Sequence, residues 1–520
     1  MVGMANPSRR FPWLSRRRKT DPEFPFEPPI LLGNKSNGEF FHQQTAHEAR
    51  LRERILRVSV EQARRLGVDR REFLASAAGM TASLWAINMA SGCGGSDGGY
   101  DVPPPESIDC DEAGGLLSGN EFILDLQTHH VEDEETWRDR HPGRSFGPVE
   151  ALSEFLTFYN CTLDPSWQCV GPAMYLEQIF LNSDTSVAVL SGLPSPMCDD
   201  GTLCSNVNSN EGMAYWRDFF NSLAGGSQRV VQHCQVAPND RWELQSEMMQ
   251  RVRENFGNHG WKAYPPWGAT GQGWFLDDEA IGGPFIERAR ELGEPLICVH
   301  KGFPLPGFDR EHSDPRDVGP AASRYPDVKF VVYHSAYLSN HVEGAYDAAN
   351  PGPAVDRLVQ TVEQHGLKGK NVYAELGSAW ALAMGNAVGA QHLIGKLLKY
   401  VGEDNVVWGS ECVWFGSPQR QIEAFRRLEI SAEFQERYGY PALTADRKAK
   451  IFGLNGARLY GIDPEARRCE IASNPLTLAK ARLDAEFGER RWAFQEPFGP
   501  RSRREFVALQ RWRRFQNVPA

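Results

Sequence analysis

Five polar residues each close an apolar run of this chain: Gln127 and His129 in FILDLQTHH, His300 in PLICVH, His334 in KFVVYH and Glu411 in NVVWGSE. Imidazole and carboxylate side chains bind divalent cations. A bound cation lowers the pKa of water toward neutrality or anchors a substrate carboxylate. One histidine at a strand end is more often a hydrogen-bonded structural residue than a ligand. Four strand-like segments that each end in a ligand type carry a joint signal that none carries alone: a metal-dependent centre at one mouth of a barrel.

Such a centre needs a scaffold that gathers distant strand ends. Apolar runs of strand length occur at 121–128, 186–193, 229–236, 259–264, 295–300, 329–334, 371–376 and 405–410. Helix-like stretches such as NDRWELQSEMMQRVRENFG and AVDRLVQTVEQHG lie between most of them. Eight strands alternating with helices predict an α/β fold of the (β/α)8 TIM-barrel type over residues 120–463. His300 and His334 stand thirty-four residues apart, about one βα repeat with its crossover helix. A doubly wound sheet is the competing architecture, and no GxGxxG follows the first run to favour it.

Strand alternation places Asp125, Gln127 and His129 on one face and His130 on the other, which makes His129 the expected inward ligand and His130 a packing residue. Lys262, in HGWKAYPP, is expected at the mouth as a partner for a substrate carboxylate, with a solvated strand-end lysine as the alternative. Glu375, in YAELGS, reads as an extra acid or as a structural hydrogen-bonding group. Trp261, Trp267, Trp274, Trp380, Trp408 and Trp414 fall near strand ends or in the loops after them, and would form an aromatic pocket for a ring-bearing or apolar substrate.

The 520 residues, 41% hydrophobic and 24% charged, are enough for one large catalytic domain with appendages. A net charge of -11 argues against nucleic acid as the partner and for a small molecule. The charge is uneven: residues 1–71 hold fifteen Lys and Arg against eight Asp and Glu. Within 1–93, Arg70-Arg71-Glu72-Phe73-Leu74 leads into ASAAGMTASLWAINMASG, the pattern of a twin-arginine export signal. Roughly seventy residues precede it, far more than a usual leader carries. Ala90-Ser91-Gly92-Cys93 resembles a lipoprotein processing site that would leave Cys93 lipidated. The expected location is thus the periplasm or cell surface, or the cytoplasm if the signal does not function. Residues 94–119 are Gly-, Ser- and Pro-rich and read as a flexible linker.

Ten cysteines carry no CxxC pair, so a zinc ribbon is not expected. Cys161, Cys169, Cys198 and Cys204 cluster in loop-like sequence, where an exported protein would form one or two disulfides. Cys234, Cys298 and Cys412 sit inside strand-like runs as core residues. Residues 464–520 read as two basic amphipathic helices, LTLAKARLDAEFGERRWAF and RREFVALQRWRRF, closing on the barrel or on a partner in a homodimer.

From about 120 to 463 the chain resembles the amidohydrolase-related (amidohydrolase 2) family of TIM-barrel metal-dependent hydrolases and decarboxylases, related to aminocarboxymuconate semialdehyde decarboxylase. The resemblance rests on LDLQTHH, CVHKG, YPDVKFVVYHSAY, VGEDNVVWGSECVW and KIFGLNGARLYGI, in that order. It implies His129, His300 and Glu411, with Gln127, as metal ligands, and His334 and Glu411 as catalytic groups, His334 moving protons. Zinc is the first expectation for the ion and manganese the second. Two positions depart from the family: Gln127 replaces the first His of HxH, and Glu411 the usual Asp. A neutral amide is a poor zinc ligand. The implied activity is hydrolysis of a small organic substrate through metal-activated water, with non-oxidative decarboxylation as the alternative. A reading of another class is a barrel without metal, serving as a binding or surface lipoprotein. Lys262 and Trp414 are the candidate substrate contacts.

Overall fold

The computed structural model describes residues 28–30, 32, 35–36, 41–90, 99–131, 170–203, 208–269, 271–304, 308–339 and 341–494. All eight apolar runs form strand: β1 Leu124–Thr128, β2 Val187–Leu190, β3 Val230–Gln232, β4 Cys234–Val236, β5 Trp261–Ala263, β6 Leu296–His300, β7 Lys329–Tyr333, β8 Val372–Glu375 and β9 Val406–Val407. The third run is split into β3 and β4 at His233. Neighbours pair in sequence order and in parallel, β1 to β3 in one sheet and β4 to β9 in another. The first and last runs are themselves neighbours. Leu126 N–H donates to Trp408 O, Glu411 N–H to Gln127 O and His129 N–H to Cys412 O.

Period-two alternation sorts the strand residues into two cores. Leu124, Leu126, Val187, Val189, Val231, Leu296, Cys298, Val331, Tyr333 and Val407 pack together on the inner face. Val230, Cys234, Val236, Ile297, Val299, Phe330 and Val332 pack outward against the helices. Burial on both faces explains why these strands read as continuous apolar runs.

One expectation about faces is corrected in β1. Leu124 pairs with Val187, Asp125 with Ala188, but Thr128 with Leu190, so β1 spends three steps where β2 spends two. This bulge reverses the alternation. Leu124 and Leu126 face inward before it, Gln127 and His129 reach the inner site after it, and Asp125 does not share their face. The Asp125 carboxylate instead accepts from Ser410 N–H at 2.9 Å, Ser410 Oγ–H at 2.5 Å and Gln127 N–H at 3.3 Å, bracing β1 against the chain after β9.

Ahead of β1 stand α1 (Ala46–Leu66), α2 (Arg70–Ala75), α3 (Ala77–Ala90) and α4 (Cys110–Leu117). Arg70 and Arg71 open α2 behind an Asp69–Glu72 capping box. The apolar stretch expected as a signal core is α3, and its Met80, Leu84, Ala86 and Ile87 are buried in the same cluster as the outer strand residues. No described helix is long and apolar enough to cross a membrane. The stretch expected as a linker carries ordered elements from residue 99 on. Gly99–Tyr100 pairs with Leu428–Glu429, Tyr100 Oη–H donates to Met384 O, and Asp109 with Glu112 caps α4. The Gly- and Ser-rich composition had concealed that cap.

Between strands run α5 (Trp242–Phe256), α6 (Gly282–Glu291), α7 (Val355–Gln364) and α8 (Ala387–Lys396), and after β9 come α9 (Gln419–Arg427), α10 (Asn455–Tyr460), α11 (Pro464–Ala472) and α12 (Pro475–Phe487). Ala457 and Leu459 of α10 pack into the inner core. Cys234, Cys298 and Cys412 are buried free thiols and Cys198 is disulfide-bonded. Cys93, Cys161, Cys169, Cys204 and the second C-terminal helix expected over 503–515 lie outside the described residues.

Candidate functional site

His129, His300, His334, Gln127, Glu411 and Lys262 all come from the inner face or the C-terminal ends of the parallel strands, and all are buried. The backbone there is bent sharply. His334, Ser335, Ala336 and Glu411 have φ of 62°, 50°, 60° and 58°, a left-handed region costing about 1–3 kcal/mol per non-glycine residue, and such strain collects at functional sites.

The hydrogen bonds of the three histidines define their tautomers. A carbonyl oxygen can only accept, so the ring nitrogen facing it carries the proton. His129 Nδ1–H donates to Ser191 O at 2.8 Å, His300 Nε2–H to Phe303 O at 3.1 Å and His334 Nδ1–H to Gly377 O at 2.9 Å. In the neutral ring the opposite nitrogen is then a bare lone pair. His300 Nδ1 and His334 Nε2 confront each other at 3.3 Å, and Glu411 Oε1 lies 3.7 Å from His334 Nε2. Gln127 Nε2 donates to Glu411 Oε1 at 3.1 Å and sits 3.5 Å from His129 Nε2.

Burial, reinforced by the Lys262 cation, pushes His129 and His300 down to about 3. His334 falls well below the usual imidazole range through burial, then His300, then Lys262. The rings are therefore neutral with lone pairs converging, and backbone carbonyls hold their outer nitrogens, which is how ligating histidines are oriented. Among the described residues no group of three or more His, Cys, Asp or Glu side chains is placed to hold one metal ion. His300, Glu411 and His129, with imidazole lone pairs and one carboxylate, are the residues that would hold a divalent cation. Gln127 turns its NH2 group toward Glu411 and His129, while its Oε1, buried without a hydrogen-bond partner, lies against Gly377.

Lys262 lies inward on β5, with Nζ 3.3 Å above the Tyr333 ring centroid and 4.6 Å from that of Tyr264. It is fully buried, which excludes the solvated strand-end alternative. Aromatic faces stabilise a desolvated ammonium by about 2 kcal/mol. Glu375 ends β8, also fully buried, and burial pushes its carboxyl up to about 8 against the pull of two backbone N–H groups and Lys262.

The aromatic wall differs from expectation. Only Trp414 of the six tryptophans is in ring contact with a histidine of the site among the described residues, stacking on His129 at 5.6 Å. Trp261 and Trp408 alternate with the inward Lys262 and Val407 and so face the helices, Trp261 Nε1–H donating to Glu294 O and Trp408 packing on Phe425 and Phe452. Trp380 Nε1–H donates to Gln421 O. Trp267 and Trp274, in the loop after β5, belong to the outer core. The wall is completed by Tyr264, stacked on His300 at 5.4 Å, by Phe308 edge-on to His300 at 5.2 Å, and by Phe303 edge-on to His334 at 5.0 Å. Tyr264 was legible, two residues beyond Lys262 on the same face. Phe303, Phe308 and the carbonyl partners Ser191 and Gly377 had no sequence signal, since loops place them.

No curated protein matches the chain. Among solved structures, it is similar to 5-carboxyvanillate decarboxylase from Novosphingobium aromaticivorans, complexed with manganese and 4-hydroxy-3-methoxy-5-nitrobenzoic acid, at 14% identity and TM-score 0.42, covering 66% of this chain and 98% of that one. Similarity to 2,6-dihydroxybenzoate decarboxylase from Rhizobium is 14% with TM-score 0.38 over 66% and 99% of the two chains. An amidohydrolase from Mycobacterium avium subsp. paratuberculosis gives 15% with TM-score 0.35 over 66% and 100%. The Amidohydrolase family model, Amidohydro_2, matches residues 206–462, a span that holds Lys262, His300, His334, Glu375 and Glu411 and leaves β1 with His129 outside it. Residues 206–462 of the chain thus match this amidohydrolase-2 family.

Proposed function

We propose that the parallel strands form a (β/α)8 barrel whose C-terminal mouth is the active site of a metal-dependent decarboxylase acting on a small aromatic carboxylic acid. The observation that carries the reading is a buried ammonium, Lys262, beside three neutral imidazoles and Glu411 behind a wall of Tyr264, Phe303, Phe308 and Trp414. A planar substrate suits such a wall. A carboxylate entering it meets a fixed cation in surroundings poor in water, where charge pairing is strong. When bound, a divalent cation, manganese or zinc, would act as a Lewis acid on a substrate oxygen. His334, its Nδ1–H tied to Gly377 O, presents Nε2 to accept a proton from a substrate hydroxyl. It returns that proton to the ring carbon as the carbon–carboxylate bond breaks and leaves its electron pair on carbon. Hydrolysis is the second reading, favoured by the same bare Nε2 beside Glu411, which could take a proton from water.

Protein reconstituted with Mn2+ and offered 5-carboxyvanillate, 2,6-dihydroxybenzoate and a panel of lactones and amides separates them. Carbon dioxide release from an aromatic acid is the expected outcome. Lactone or amide cleavage with no carbon dioxide from any acid would replace decarboxylation by hydrolysis.

A further inference from the structure

We propose that Glu375 is a positioning residue, holding His334 through two hydrogen bonds from one carboxylate, an inference that rests on His334 acting in the reaction read above. Glu375 Oε2 accepts the His334 main-chain N–H at 2.9 Å, and Oε1 accepts the Gly377 N–H. Gly377 O in turn accepts His334 Nδ1–H at 2.9 Å. One carboxylate thus fixes both the backbone of His334 and the carbonyl that sets the direction and tautomer of its ring. Ser335 Oγ–H donates to Glu375 O at 2.7 Å, a third tie between the two loops.

The segments so joined would not hold themselves. His334, Ser335 and Ala336 are three consecutive non-glycine residues at positive φ, and Ser378 beside Gly377 has φ of 51°; such turns persist when their surroundings over-determine them. Two glycines also make room for the carboxylate. A Cβ on Gly409 would lie 1.6 Å from Glu375 Oε1, and one on Gly377 would lie 2.6 Å from it. Both oxygens are spent on backbone N–H groups, so Glu375 acts through His334 and is not itself a catalytic residue. Above about pH 8, where its carboxyl is ionised, Glu375 offers two acceptor oxygens, whereas a glutamine has one and an NH2 group, so one of the two N–H groups would face a donor.

The test is the His334 tautomer in full-length protein labelled with 15N-histidine, its signals assigned by their loss in His334→Gln. At pH 9, above the value to which burial pushes the Glu375 carboxyl, wild type is expected to show the Nδ1–H form, and Glu375→Gln a mixture of tautomers. Asp327→Asn, which breaks an ion pair to Arg290 just before the N-terminal end of β7, should leave the His334 signals unchanged. Once a turnover substrate is found, Glu375→Gln should lose about 10–100-fold in kcat with KM retained, as when an outer partner of a site histidine is removed. Gly377→Ala keeps the carboxylate but crowds it, and should give the same tautomer mixture; it decides the matter if Glu375→Gln does not fold. An unchanged Nδ1–H form in either folded variant overturns the proposal. Failure of wild type to bind Mn2+ would count against the metal-dependent reading alone, because the tautomer readout needs no metal.

Discussion

At the residue scale, the site is defined by which atoms are left bare. The residue types at the strand ends were readable from sequence, but their tautomers were not, because these depend on the carbonyls of Ser191, Phe303 and Gly377, which loops deliver. Lys262 shows the same division. Its inward direction follows from strand alternation, while its complete burial against Tyr333 and Tyr264 is a tertiary fact. A buried ammonium on the inner face, over the Tyr333 and Tyr264 rings, is suited to an anionic ligand. Lys262→Met should therefore weaken binding of an aromatic carboxylate by about 10–100-fold, the loss of one desolvated charge contact, with thermal stability kept or raised because a buried charge has been removed. Titration calorimetry with 4-hydroxy-3-methoxy-5-nitrobenzoate checks this, and an unchanged Kd in the folded variant would remove Lys262 from the binding site.

At the scale of elements, the eight strand runs were legible because burial on both faces leaves continuous apolar stretches, and each appears within a few residues of its expected span. The bulge in β1 was not, since the residue it adds is indistinguishable from regular strand until the partner's register is known. It carries Asp125 away from Gln127 and His129 and sets it between β1 and Ser410. Asp125 is then an internal brace that aligns His129 with Glu411. Asp125→Ala should cost about 3–5 kcal/mol, the range for breaking a buried charged network, and denaturant unfolding measures it. A loss below about 1 kcal/mol, the size of a single neutral hydrogen bond, would mean that the brace is dispensable. The apolar Ala- and Ser-rich stretch behind the paired arginines forms α3, whose Met80, Leu84, Ala86 and Ile87 are buried in the outer core.

At the scale of the whole molecule, the buried groups set how stability varies with pH in metal-free protein. His129, His130 and His300 are pushed down to about 3, His259 and His392 to about 4, and His233 and His334 well below the usual range. The unfolded chain takes up these protons below about 6.5 while the folded one does not, so stability falls as pH drops through that value. Burial pushes Asp125 up to about 6 and Glu375 up to about 8, so the folded state holds their protons longer and stability falls as pH rises toward those values. Seven histidines oppose four raised carboxyls, Asp125, Asp277, Glu294 and Glu375, below about 6.5, and Glu375 still acts between about 6.5 and 8, which places the maximum near pH 6.5. A Tm profile of chelated protein from pH 4.5 to 8.5 tests this, and a Tm that climbs steadily to pH 8.5 would contradict it. The fold class and the gathering of strand ends were expected from the order of motifs. The two departures, Gln127 and Glu411, bear most on the central claim, because they decide whether neutral lone pairs and one longer carboxylate hold an ion. Metal analysis of purified protein reconstituted with Mn2+ or Zn2+ is the most direct test. About one equivalent per chain is expected, lost in His300→Ala and retained in His334→Ala; less than about half an equivalent in the wild type would contradict a metal-dependent centre.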